Sequence, residues 1–139
     1  MHTVSEQRSI GSPASELRLP AKPAKLGLAR EYAHRTAAAF GLDAERCHEF
    51  AFAVNEAVTN AIRHGRPDEH GHIHLSVHVE DERLTLVVRD YGTFAASGPL
   101  AVPGAEGGRG FVLMMRLMDA VQLCVAPGRT TVRLSKERG

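Results

Sequence analysis

At 139 residues, with 17 basic against 16 acidic side chains and a formal charge of +1, the chain has the size of one domain and can bury a core without disulfides or metals. That balance excludes the basic excess of an electrostatic nucleic-acid binder, and no apolar run is long enough for a membrane span or a secretory signal core. The two cysteines, Cys47 and Cys124, lie far apart without metal-ligand or redox spacing and read as core thiols of a reducing compartment, so a soluble cytoplasmic protein is expected.

Residues 1–15 are polar and broken by Pro, Gly and Ser, which predicts a flexible tail and leaves 16–139 as the domain. ELRLPA reads as a short edge strand ended by Pro20. Pro23 then opens a helix over roughly Ala24–Phe40, with Leu26, Ala29, Ala33, Ala37 and Phe40 at helical spacing and Gly41 closing it. Asp43 is a suitable N-cap for a second helix that runs to about His64, where Gly65 stops it and His64 favours the C-terminal end of the dipole. On this second helix Phe50, Val54, Ala57, Val58 and Ala61 form the apolar stripe, with Ala51 and Ile62 on its shoulder. Glu56 and Asn60 fall off the stripe at i and i+4 and project together. An isolated pair of this kind is more often a solvated face than a site.

Two period-two segments follow. In HIHLSVHVE the inward set is Ile73, Leu75, Val77 and Val79, and His72, His74, Ser76 and His78 face the other way. After a tight turn at Asp81-Glu82, ERLTLVVRD buries Leu84, Leu86 and Val88, and the same alternation aims Asp90 inward at the strand end. A buried carboxylate needs a specific partner. Tyr91–Gly108 is rich in Gly, Pro and Ala without period and reads as a functional lid or a mobile segment. GRGFVLMMRLMD opens a third helix directly on glycines, with Phe111, Met114, Met115 and Met118 as its apolar face. Strands marked by Val121, Leu123 and Val125, and by Thr130, Val132 and Leu134, complete the chain. The order predicts a two-layer α/β sandwich, an antiparallel or mixed sheet with helices on one face.

The residues that this architecture does not need describe a nucleotide site. Glycines at Gly108 and Gly110 let a phosphate approach main-chain amides at a helix N-terminus. Asp90 can accept a hydrogen bond from an exocyclic amine, with Gly92 beside it. Asn60 can offer a neutral oxygen to a phosphate-bound magnesium ion, and Glu56 can activate a hydroxyl or water for attack on a terminal phosphate. The histidines allow a rival reading, since His70, His72, His74 and His78 share one strand face and histidine clusters bind zinc or nickel. Steps of about 7 Å along that face do not converge on one ion, and a polar outer sheet face accounts for them.

In order along the chain, NEAVTNAIRHG, VRDYG, GGRGF and GRTTV resemble the successive boxes of the histidine-kinase-like (GHKL) ATPase superfamily. The short chain and the EAVTNAIxHG form resemble, within it, the anti-sigma regulatory serine/threonine kinases, over about residues 24–136. The resemblance implies a Bergerat-type ATP-binding fold over residues 16–139, with Glu56 as general base, Asn60 as magnesium ligand and Asp90 as acceptor for the adenine amine. Gly92 would pass close to the base, Gly108, Gly110 and the amides from Phe111 would hold phosphate, and Thr130 or Thr131 would assist at the adenine end. It implies ATP and Mg2+ as cofactors, and a homodimer that holds a sigma factor and phosphorylates a serine on an anti-sigma factor antagonist, with no direct contact to nucleic acid or membrane. A nucleotide-dependent protein that sequesters its partner without phosphoryl transfer is the alternative. The detached ATPase domain of a histidine kinase is a third reading, disfavoured because no phospho-acceptor helix pair is present. Two departures bear on transfer: Phe94 stands where the family often has another glycine, and the short lid holds no Lys or Arg before Arg109, whose side chain is expected to face a partner or solvent.

Overall fold

The computed structural model describes residues 2–4, 11–92 and 108–138. Among them the elements run β1 (His2–Val4), β2 (Ser15–Pro20), α1 (Leu26–Phe40), α2 (Ala44–His64), β3 (His72–Glu80), β4 (Arg83–Asp90), α3 (Gly108–Leu117), β5 (Ala120–Ala126) and β6 (Arg129–Glu137). A single 3-10 turn at Pro23–Lys25 leads into α1. The six strands form one sheet in the order β1-β5-β6-β4-β3-β2. All neighbours are antiparallel except β1, which pairs parallel to β5 at Val121–Leu123. The sheet is therefore mixed. Within the segment read as a tail, His2–Val4 forms this edge strand and Ala14 already bonds to Val77, while residues 5–10 lie outside the described residues. A three-residue strand is too short to carry a period, so nothing in the pattern announces it.

The helices end where local chemistry tells them to. Asp43 accepts a hydrogen bond from the Arg46 amide at 2.8 Å, a cap worth about 1 kcal/mol. Gly41 closes α1 in the left-handed conformation, at φ 107°. The apolar stripe of α2 faces the sheet: Phe50, Val54 and Val58 are completely buried, with Ala57 and Ala61 beside them. Inward strand positions Ile73, Leu75, Leu84, Leu86, Val88, Val121, Leu123, Val132 and Leu134 complete one core, to which α3 adds Met114 and Met118. Burying one such side chain contributes roughly 1.5–3 kcal/mol. Helix α2 packs against both α1 and α3 and is the central element of the helical layer.

Two positions depart from the predicted alternation. Val79 and Val125, inward by period, are 50% and 42% exposed, each standing one residue before the end of its strand. On the opposite face, Thr85, Val87, Thr131, Arg133 and Ser135 of the central strands β4 and β6 are buried. Flanking strands crowd them from both sides, and Thr85 and Ser135 satisfy each other at 2.8 Å.

Lys136 continues the inward face of β6 and reaches under the helices. Its ammonium pairs with Glu49 of α2 at 2.7 Å and donates to the Leu117 carbonyl at the end of α3. One buried cation thus caps α3 and ties it to α2. Lys136→Met is expected to lose about 2 kcal/mol of unfolding free energy, since it strands a half-buried carboxylate and a helix-end carbonyl. Urea unfolding checks this, and an unchanged midpoint would show the clamp to be idle.

Candidate nucleotide site

The site lies where the C-terminal ends of α2 and β4 meet. Asp90, the last residue of β4, is 7% exposed. The Gly92 amide donates to its Oδ1 at 2.8 Å, and the Arg66 amide also donates to the carboxylate. Burial nonetheless dominates and pushes the carboxyl above its usual range, with the two amides opposing.

The backbone is cleared around this carboxylate by two glycines. Gly65 follows α2 in an extended conformation, φ −94° and ψ −159°, so it is not the left-handed stop that a glycine after a helix suggests. Space is what it provides: a Cβ there would lie 2.4 Å from Asp90 Cγ. A Cβ on Gly92 would come within 3.1 Å of the Arg66 nitrogen and 3.3 Å of Asp90 Oδ1. Gly65→Ala is therefore expected to displace Asp90 or fray the end of α2, at a cost of about 1–3 kcal/mol. Thermal unfolding with and without ADP checks it: a native Tm with native ADP affinity would mean that the close approach is dispensable.

Beside Asp90 a cleft of about 520 Å³ opens, lined by His64, Arg66, Tyr91 and Gly92. Thr130 is the register partner of Asp90 on β6; it is buried, and its hydroxyl lies 3.4 Å from the Gly92 carbonyl. Thr131 pairs with Arg89 and faces the other side of the sheet. Of the two threonines only Thr130 thus shares the face of Asp90 and reaches Gly92.

About nine residues before Gly65, Glu56 meets the other glycine segment. A Cβ on Gly110 would sit 3.0 Å from the Glu56 carboxyl carbon, so the carboxylate lies directly against the first turn of α3. Main-chain amides of that turn, which starts at Gly108, carry the positive end of the helix dipole. Phe111 follows in the same turn and packs partly buried on the core. Asn60, half-buried, follows Glu56 by four residues, roughly 6 Å along the axis on the same side. Residues 93–107, which include Phe94 and most of the lid, lie outside the described residues, as does the Arg109 side chain.

His74 and His78 of β3 are engaged locally. His74 Nε2 lies 2.7 Å from Asp68 Oδ2 and its Nδ1 2.7 Å from the Tyr91 hydroxyl, while His78 pairs with Ser76 at 3.0 Å. Among the described residues no group of three or more His, Cys, Asp or Glu side chains converges as a metal site. Gly65 as a spacer, and Asp68, His74 and Tyr91 as a group, escape a reading of the sequence. A glycine after a helix looks like an ordinary stop, and contacts between a loop, a strand and a strand end have no periodic signature.

Residues 19–136 match the histidine kinase-like ATPase domain family. The chain is 33% identical to Serine-protein kinase RsbW of Bacillus pumilus (strain SAFR-032), over 88% of this chain and 87% of that one. It is 38% identical to the Anti-sigma F factor of Bacillus velezensis (strain DSM 23117 / BGSC 10A6 / LMG 26770 / FZB42), over 63% of this chain and 67% of that one. Among solved structures, the RsbU and RsbW domains of a Mycobacterium tuberculosis protein superpose with a TM-score of 0.67 at 20% identity, covering 91% of this chain and 33% of that longer chain. That likeness bears out the sheet with helices on one face. The chain belongs to the histidine kinase-like ATPase domain family.

Proposed function

We propose that this protein is an ATP-binding anti-sigma factor that phosphorylates a serine of an anti-sigma factor antagonist, and that it acts in the cytoplasm as a homodimer. The observation that carries the reading is the layout along α2. Its C-terminal end touches Asp90 through Gly65, and one side chain nine residues earlier, Glu56, touches the first turn of α3. The separation, roughly 14 Å along a helix axis, is on the scale of a nucleoside triphosphate laid from base to terminal phosphate. Relatives named as a serine-protein kinase and as an anti-sigma factor support the partner classes. No helix among the described residues is long and apolar enough to cross a membrane.

In this reading Asp90 accepts from the adenine amine, Gly92 lets the base approach the main chain, and Thr130 borders the base. The amides from Gly108 through Phe111 receive phosphate oxygens. Magnesium, bound with the phosphates, neutralises their charge. Asn60 offers it one neutral oxygen, which fits a cation that takes few protein ligands and keeps much of its water. Glu56 accepts the proton of the serine hydroxyl as its oxygen bonds to the γ-phosphorus. The bond from that phosphorus to the β,γ-bridging oxygen breaks, and ADP leaves with the electron pair. Incubation with γ-labelled ATP and a candidate antagonist tests the reading. Label on an antagonist serine is expected; a stable complex with no transferred label would leave a sequestering protein instead.

A further inference from the structure

On the side of the sheet away from the helices, three side chains form one unbroken hydrogen-bonded chain, Asp68 to His74 to Tyr91, with both links at 2.7 Å. Asp68 anchors it. Its Oδ1 accepts from the His70 amide at 2.8 Å and the His72 amide at 2.9 Å, and its own amide donates to the His72 carbonyl. The His72 amide above all, with the His74 ring and the His70 amide, holds the Asp68 carboxyl well below the usual carboxylate range. An ionised carboxylate only accepts, so His74 Nε2 carries a hydrogen, and in the neutral ring Nδ1 accepts the Tyr91 hydroxyl proton. The His74 and Tyr91 rings meet edge to face, 5.1 Å apart at 74°.

The main chain closes the circuit, because the Tyr91 amide donates to the Arg66 carbonyl at 2.8 Å. Tyr91 is thereby tied at both ends to the short segment from Arg66 to Asp68. That segment and Asp90–Gly92 are the two walls that hold the Asp90 carboxylate, and Tyr91 itself lines the cleft. We propose that Asp68 and His74 are positioning residues for the base end of the nucleotide site, acting through the Tyr91 hydroxyl to keep those two walls at the spacing that leaves Asp90 open to the exocyclic amine of a purine. This rests on the nucleotide reading above. Asp68 and His74 are half-buried, so breaking their pair is expected to lower stability as well, and the loss of affinity is what marks a positioning role.

ADP titration by calorimetry on the full chain, beside thermal unfolding, tests it. Tyr91→Phe, which removes one hydroxyl, is expected to weaken ADP about fivefold, and His74→Phe, which removes both links, roughly tenfold. The double variant should be no weaker than His74→Phe alone, because both act through one chain. His74→Gln, which keeps one donor and one acceptor, should recover affinity to within about twofold of the parent. His74→Phe with lowered Tm but ADP affinity within about twofold of the parent would reduce the chain to a loop staple and overturn the proposal. A Gln variant as weak as the Phe variant would overturn it equally. Should His74→Phe fail to fold, Tyr91→Phe decides: unchanged ADP affinity overturns the proposal. A parent protein that binds no ADP overturns the nucleotide reading itself, and that outcome is visible before any substitution is made.

Discussion

Asp90→Asn is expected to weaken adenine-nucleotide binding by about a hundredfold while making the nucleotide-free protein more stable at neutral pH. The loss follows from counting donors. Two main-chain amides, from Gly92 and Arg66, already point at the carboxylate, and the base amine would be a third donor. A carboxylate accepts all three, whereas a carboxamide has one oxygen and an NH2 that must face either the amides or the base. The gain in stability follows from the raised carboxyl. An acid whose folded pKa lies above its unfolded value contributes fully only below the unfolded value, near 4 for aspartate, and loses that contribution as pH rises through the folded one. The Tm difference between Asp90→Asn and the parent should therefore be small at acidic pH, grow from about pH 4 upward and then level off. Calorimetric ADP titration at pH 7.5 and unfolding scans between roughly pH 3.5 and pH 8 measure both arms. Unchanged ADP affinity would remove Asp90 from the base site. A variant less stable than the parent at neutral pH would mean that the amides outweigh burial.

That a stabilising substitution should cost binding explains why Asp90 stands out in the sequence. Leu84, Leu86 and Val88 set an inward alternation, and a carboxylate at its next step conflicts with the core it faces. The pattern was legible because the conflict is local. Most of the fold was legible for the same reason: the apolar stripe of α2 and the period of β3 and β4 each lie within one element. What resolves the conflict was not legible. Gly65 comes from the end of a helix 25 residues away, and its purpose is set by a distance to Asp90 that no spacing along the chain encodes. Alternation already puts Thr130 on the inward face with Val132 and Leu134, but its partner is not written there, and only the register of β6 against β4 puts Thr130 opposite Asp90. Lys136 is similar. Alternation places it inward, yet its partners Glu49 and Leu117 belong to two different helices, so the cation reads as a strand end meeting solvent until the helices are packed.

Glu56→Gln is expected to abolish phosphoryl transfer, by about a thousandfold or more in the rate at saturating ATP, and to leave ADP affinity equal to or tighter than that of the parent. The two halves of this expectation come from one contact. The carboxylate lies against the first turn of α3, where a Cβ on Gly110 would come within 3.0 Å of its carbon, so a carboxamide of the same size fills the same space. What it removes is the proton acceptor and the negative charge. Under the proposed mechanism the first change would deprive the serine hydroxyl of its base; the second would take an anion away from the amides that receive phosphate, so that the diphosphate of ADP would no longer share the positive end of α3 with a carboxylate. A purely structural Glu56 predicts the opposite pair of results. Losing its attraction to the helix end would loosen α3, weaken ADP and lower transfer only in proportion. Transfer of label to the antagonist, measured at saturating ATP beside ADP titration of the same preparation, separates these. Transfer within about tenfold of the parent would take the general base away from Glu56, and transfer lost together with ADP binding would make Glu56 a support of the phosphate end.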